Sequence, residues 1–102
     1  MRIPFYTKQF AKDLKRMQKR GKSPEKIKKV QKRGKSPEKI KKVIRKLLSE
    51  QPLDPIYKEH RLIGNFKGRR ECHVEPDWLL IYKIVDSEII FERTGTHSDL
   101  FE

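Results

Sequence analysis

Histidine is the side chain best suited to move protons near neutral pH. This chain holds three: His60, His73 and His97. Two of them lie in polar blocks at the ends of apolar runs. His73 opens His-Val-Glu-Pro-Asp77-Trp78, and His97 stands in Arg93-Thr-Gly-Thr-His97-Ser-Asp-Leu-Phe101. Imidazole beside carboxylate can act as general base and general acid. Arg93 and Lys67 are cations that could hold a phosphate. Trp78 and Phe101 offer rings on which a nucleobase could stack. Together, in a strongly basic chain, these groups point to chemistry on RNA.

Each residue also has a plainer reading. His73, on the polar face of its strand beside Glu71 and Glu75, could be a surface histidine paired with acids. His60 falls in a connecting segment. Asp77 follows a proline and could be turn chemistry alone, or it could orient a histidine and poise its protonation. Trp78 and Phe101 could be core, and Arg93 and Lys67 plain surface charges. His97 is the preferred acid, with base and acid exchangeable. There is no His-x-His and no His-Glu-x-x-His, and the three histidines are well separated, so neither a metal nor another cofactor is expected. No nucleophile elbow supports a serine triad.

The elements that must carry these residues follow from periodicity. Phe10, Leu14 and Met17 recur at helical spacing after Thr7, an N-cap residue. Ile40, Val43, Ile44, Leu47 and Leu48 form a stronger stripe. Residues 69–75 alternate as a strand with Cys72 and Val74 on one face and Glu71, His73 and Glu75 on the other. Pro76-Asp77 turns the chain into a nearly continuous apolar strand, residues 78–84, which suits a central position. Residues 88–94 form another strand. Residues 3–6 read as a short edge strand, because Pro4 cannot donate to a ladder. Residues 56–67 read as a connection with a short extended piece. The order is β-α-α-β-β-β. The expected fold is α+β, one domain over residues 1–102, with an antiparallel-rich sheet and an N-terminal helical hairpin packed on one face.

Between the helices the chain repeats itself. Residues 18–30 recur unchanged at 31–43. Two copies do not make a solenoid. Perfect identity suggests a recent or an engineered duplication. Each copy holds a helix stop, Lys-Arg-Gly, then a helix start, Ser-Pro-Glu. The second copy leads into the strong stripe, so residues 40–48 are expected to fill the second-helix position. A break is expected near 33–37, with residues 24–32 as a short exposed helix or loop. A lengthened hinge also allows a swapped dimer in place of a monomer.

The net charge is +12, unevenly placed. Residues 1–50 carry 19 Lys/Arg against 4 Asp/Glu, and residues 51–102 carry 7 against 10. A basic half therefore adjoins a half that holds every histidine. The basic half suits a polyanion. It would equally suit an acidic protein partner. A single cysteine, Cys72, leaves no intramolecular disulfide and fits a reducing compartment. No apolar run approaches membrane-spanning length, and the N-terminus lacks a signal-peptide core, so a cytoplasmic protein without membrane contact is expected.

In this order, the blocks Tyr57-Lys-Glu-His60-Arg-Leu, Gly64-Asn-Phe-Lys67-Gly68, His73-Val-Glu-Pro-Asp77-Trp78 and Arg93-Thr-Gly-Thr-His97-Ser-Asp-Leu-Phe101 resemble the RelE/YafQ-type toxins of bacterial toxin–antitoxin pairs, nearest the YafQ branch. The resemblance covers the chain except for one copy of the repeat, which the family lacks. It implies a metal-independent endoribonuclease that cuts mRNA in the ribosomal A site by attack of a 2′-hydroxyl. It also implies contact with ribosomal RNA, neutralisation by a cognate antitoxin, and operator DNA bound through that antitoxin. By position, His60, His73, Asp77, Trp78, His97 and Phe101 match the residues the family uses for catalysis and substrate placement. The rival expectation, from another class, is a catalytically silent or engineered variant that acts as a basic binding module.

Overall fold

The computed structural model describes residues 1–20 and 37–101. The elements in chain order are β1 (Ile3–Tyr6), α1 (Lys8–Arg20), α2 (Pro37–Leu48), β2 (His60–Arg61), β3 (Arg70–Glu75), β4 (Trp78–Val85), β5 (Glu88–Gly95) and α3 (His97–Phe101). Single 3-10 turns at Pro55–Tyr57 and Gly64–Phe66 flank β2. All strands join one sheet in the order β1-β5-β4-β3-β2. β1 runs parallel to β5, and the other neighbours pair antiparallel. The expected α+β class holds, and the expected β-α-α-β-β-β order stands with two additions, the short β2 within the 56–67 connection and α3 at the end. Proline-bearing β1 sits at an edge, and the apolar β4 is central. The expectations for a break at 33–37 and for residues 24–32 lie outside the described residues.

Local chemistry accounts for the helices. The Thr7 hydroxyl oxygen accepts from the Phe10 amide (2.9 Å) and its hydroxyl donates to the Glu92 carbonyl (2.9 Å), so one cap starts α1 and ties it to β5. α1 buries Phe10, Asp13 and Met17. α2 begins at Pro37, where a missing amide proton costs nothing. It buries Ile40, Val43 and Leu47, as the apolar stripe requires. Arg2 bonds the end of α2 through its guanidinium to the Leu47 carbonyl (2.8 Å) and through its amide to the Leu48 carbonyl (2.7 Å). That places a cation at the negative end of a helix dipole.

The expected hairpin packs on one face, and a short C-terminal helix outside that expectation covers part of the other. α1 and α2 lie over Cys72, Val74, Trp78, Leu80, Tyr82, Ile89 and Phe91. The opposite face holds a smaller cluster of Leu79, Ile81 and Leu100, with Leu62 and Phe66 against it. Leu100 comes from α3, a helix beyond the expected β-α-α-β-β-β order. A reciprocal cap holds it. The Thr96 amide donates to the Asp99 carboxylate (3.0 Å), and the Asp99 amide donates to the Thr96 hydroxyl oxygen (3.1 Å).

Candidate active site

The second face of the sheet carries the histidines. Glu71 and His73 project from β3 opposite Ile81 and Leu79 of β4, and His60 of β2 lies opposite Glu71. α3 brings His97 in from the end of β5. The three rings form a row. The His60 and His73 centroids are 6.4 Å apart, and those of His73 and His97 are 5.8 Å apart, edge to face. Phe101 extends the row, 6.4 Å from His97, with Phe66 edge-on behind it at 5.5 Å. Sequence positions spread over four elements thus converge on one stripe.

Each ring is oriented. His97 meets Asp77 twice: its ring Nδ1 lies 2.6 Å from the carboxylate Oδ1, and its amide donates to the same oxygen at 3.0 Å. The proton on Nδ1 is thereby fixed, and Nε2 remains for proton transfer. His73 points Nδ1 at the Pro76 carbonyl (3.2 Å). Its Nε2 lies 3.6 Å from Glu71 Oε1. His60 faces an acceptor on each side, the Lys58 carbonyl at 2.8 Å and Glu71 Oε1 at 3.2 Å. Only the imidazolium ring donates to both. The Glu71 side chain is 6% exposed, whereas those of His73 and His60 are 17% and 49% exposed. The carboxylate therefore lies beneath the His60 and His73 rings.

Neighbours hold this row in place. Glu59, next to His60, accepts from the Tyr82 hydroxyl and from Arg70 Nε (3.2 Å). Burial, then the hydrogen bond to Glu59, pushes the Tyr82 phenol well above its ordinary range, so it stays a neutral donor. On the other side Asp13 of α1 is buried against the end of β5. It takes Arg93 Nε at 2.7 Å, Arg93 Nη2 at 3.2 Å and the Thr94 amide at 3.1 Å. Burial raises the Asp13 carboxyl, but the hydrogen bonds from Arg93, Gln9 and Thr94 outweigh it and hold the group below its usual value. Burial, with Glu59 and Glu71 nearby, pushes the Cys72 thiol far up, which removes it as a nucleophile.

Three expected site residues sit differently. Trp78 is 1% exposed, its indole N–H donating to the Thr94 hydroxyl oxygen (2.9 Å), and it presents no face to a base. Its burial fixes the turn before it, which holds Asp77. Arg93 has two guanidinium nitrogens committed to Asp13, so it anchors β5 to α1. Lys67 follows the Gly64–Phe66 turn and lines a separate cleft with Arg61 and Arg70. Glu71 and Asp13 were not among the expected site residues. Glu71 shares a strand face with His73 at i−2. Asp13 is an acid at a core position of an amphipathic helix, a position where a charge needs a partner. Among the described residues, no group of three His, Cys, Asp or Glu side chains is arranged to hold a metal ion.

Known proteins share this fold and much of this sequence. The sequence model of a family described as "Bacterial toxin of type II toxin-antitoxin system, YafQ" matches residues 2–102. The mRNA interferase toxin YafQ of Escherichia coli strain K12 is 48% identical over 96 residues, covering 94% of this chain and 91% of that protein. The crystal structure of the E. coli DinJ-YafQ complex superposes with a TM-score of 0.81 at 42% identity, over 100% of both chains. A metal-bound toxin from Helicobacter pylori superposes with a TM-score of 0.80 at 38% identity, over 99% of this chain and 100% of that one. With a matched family profile across almost its whole length, and a relative nearly half identical, this chain belongs to the YafQ family of toxins from bacterial type II toxin–antitoxin systems.

Proposed function

We propose that this chain is an mRNA endoribonuclease that cuts by attack of a 2′-hydroxyl on the adjacent phosphate, without a metal, on mRNA held in the ribosomal A site. The observation that carries the reading is the pair of imidazoles His73 and His97, whose rings lie 5.8 Å apart at the open end of the sheet. One phosphodiester can be addressed by both. His73 takes the proton of the 2′-hydroxyl, and the freed oxygen attacks phosphorus. His97, held by Asp77 through Nδ1, gives a proton from Nε2 to the departing 5′-oxygen. The products are a 2′,3′-cyclic phosphate and a 5′-hydroxyl. Glu71 stabilises the imidazolium that His73 becomes, and His60, when cationic, adds positive charge near the developing phosphorane. Phe101, 44% exposed beside His97, supplies the ring for a base.

The lysines and arginines of α1 and α2 steer the enzyme to ribosomal RNA. The E. coli relative is found in a complex with DinJ. By the same logic a cognate antitoxin neutralises this chain and carries it to operator DNA. No described helix is long and apolar enough to cross a membrane, and the proposed site of action is the cytoplasm. The test is induced expression with 5′-end mapping of cellular mRNA. New 5′-hydroxyl ends should appear with the wild-type chain and vanish on co-expression of the antitoxin. They should also vanish with His73→Ala and His97→Ala. Cleavage that survives the double substitution refutes the histidine mechanism.

A further inference from the structure

The histidine row does not end at His73. Beyond it a cleft of about 620 Å³ opens between α2, the 3-10 turn Pro55–Tyr57 and the end of β3. Its walls include Lys39, Lys42, Ile56, Tyr57, Lys58 and His73. The size lies inside the range of small-molecule and cofactor sites, about 300–1,000 Å³. Two observations set its chemistry. Lys39 and Lys42 stand three residues apart on one face of α2, and Lys58 follows the turn, so three lysines line the cleft. The acid among them, Glu75, is paired with Lys39 at 2.7 Å. The wall between these cations is apolar and aromatic. Ile56 is 75% exposed although it is a large aliphatic side chain, and Tyr57 packs beside it against the core.

A cationic rim over a flat apolar wall is what a nucleotide requires: ammonium groups for phosphate, a ring and an aliphatic face for the base. The occupant must also reach His73, which forms part of both the cleft and the row. We propose that this cleft binds a nucleotide next to the scissile bond, its base against Tyr57 and Ile56 and its phosphate between Lys42 and Lys58. This rests on the endonuclease reading above and adds a substrate subsite to it. Stacking tolerates every base, so the cleft contributes grip rather than sequence choice. The cleft also depends on how short β2 is. With only His60–Arg61 paired, the far end of β3 has no strand neighbour on its β2 side, and the 3-10 turn can stand off from it to form the cleft.

The test uses the full chain on ribosomes programmed with a cleavable mRNA, read in single turnover. Lys42→Met, Lys58→Met and Ile56→Asp alter exposed side chains. Each should raise the half-saturating concentration roughly tenfold, the scale of one charge-assisted or stacking contact, and leave the maximal rate within about threefold. Tyr57→Leu should behave likewise and Tyr57→Phe should restore binding. In contrast, His97→Ala should lower the rate. On mRNAs truncated stepwise from either side of the cut, the Lys42→Met penalty should vanish once the flanking nucleotide is gone. A 4-thiouridine at that nucleotide should crosslink to residues 55–58 in the His97→Ala protein. If the wild type cuts and all four substitutions leave half-saturation unchanged, the cleft is not a substrate subsite, while the endonuclease reading stands. If the substitutions weaken antitoxin binding by calorimetry and spare cleavage, the cleft belongs to a protein partner and the proposal is wrong. If the wild type fails to cut, the endonuclease reading falls, and absence of the crosslink then removes the subsite as well.

Discussion

Asp13 is where fold and active site are joined, and replacing it with alanine tests that directly. Its side chain is fully buried, and its two oxygens accept from Arg93, the Thr94 amide, Gln9 and Arg16. Asp13→Ala leaves the Arg93 guanidinium, 28% exposed, without its anion. It also leaves the buried Thr94 amide without an acceptor. Breaking a buried pair from one side costs about 3–5 kcal/mol, and an unsatisfied buried donor about 1–3 kcal/mol. These overlap, and Arg93 recovers some solvation, so a net loss of about 3–4 kcal/mol is expected. For a domain near this size each kcal/mol moves the midpoint by about 4–8 °C, giving a drop of about 12–30 °C. The assay is thermal melting by circular dichroism at pH 7, paired with single-turnover cleavage. Cleavage should fall as well, because Arg93 and Thr94 lead directly into Gly95 and His97. Asp13→Leu with Arg93→Leu should recover part of the stability, since the Arg93 charge is no longer stranded, while the Thr94 amide still lacks its acceptor. The pH dependence has a definite sign. The folded Asp13 carboxyl titrates below the ordinary value of 3.8, so its contribution is complete above that value and is lost as pH falls through the lower folded one. The gap between wild type and Asp13→Asn should therefore close below about pH 4. An Asp13→Ala midpoint within a few degrees of wild type at pH 7 would refute the reasoning.

Four further outcomes are expected. His73→Ala and His97→Ala should each lower single-turnover cleavage by about 10²-fold or more, with no effect of EDTA on the wild type; loss of activity with chelator contradicts the mechanism. Gly95→Ala should reduce activity more than stability, because a Cβ there would lie 2.9 Å from Asp99 Oδ2 and displace the cap that places His97; unchanged cleavage argues against that placement. Neutralising exposed lysines on α1 and α2 should flatten the salt dependence of ribosome binding by about one unit of slope for each phosphate no longer neutralised, whereas an unaltered slope removes the steering role. Deleting residues 18–30 gives the same sequence as deleting 31–43, and the shortened chain should melt within a few degrees of the parent and still cut mRNA. A collapsed midpoint would show that the extra copy supports the sheet.

The sequence was most legible where one period governed a whole element. β4 and β5 each end one residue beyond the expected positions, and β3 starts one residue later, because apolar runs bounded by Pro76-Asp77 and Asp86-Ser87 leave little freedom. At the second turn Asp86 takes φ 55°, a conformation that Asp tolerates. α3 was missed because five residues are too few for periodicity; the legible sign was Thr96-x-x-Asp99. The histidines were legible as candidates from residue type and family resemblance. Their convergence was not, because it depends on register: His60 opposite Glu71, and His73 opposite Leu79. The same limit explains Trp78 and Arg93. Each has a chemistry suited to RNA, and each is turned inward by partners from another element, Thr94 for the indole and Asp13 for the guanidinium.

The duplication shows how packing selects between identical sequences. Both copies carry the same helix start, Ser-Pro-Glu, and the same Ile and Val, so local propensity cannot tell them apart. The residues downstream of each copy differ. After Ile40 and Val43 come Ile44, Leu47 and Leu48, which continue the stripe through two more turns. After Ile27 and Val30 come Gln31, Lys32, Arg33 and Gly34, which offer cations and a helix stop. In the second frame Ile40, Val43 and Leu47 are buried, with Ile44 and Leu48 packed against them. Seating the first copy there would forfeit three aliphatic side chains. At about 1.5–3 kcal/mol for each full burial, and less for the two that are partly covered, the second frame wins by several kcal/mol. That is a preference of at least about a thousandfold, so one register is populated. The same choice brings Lys39 and Lys42 to the cleft beside His73. Apolar residues after the repeat thus place lysines inside it beside the proposed substrate subsite.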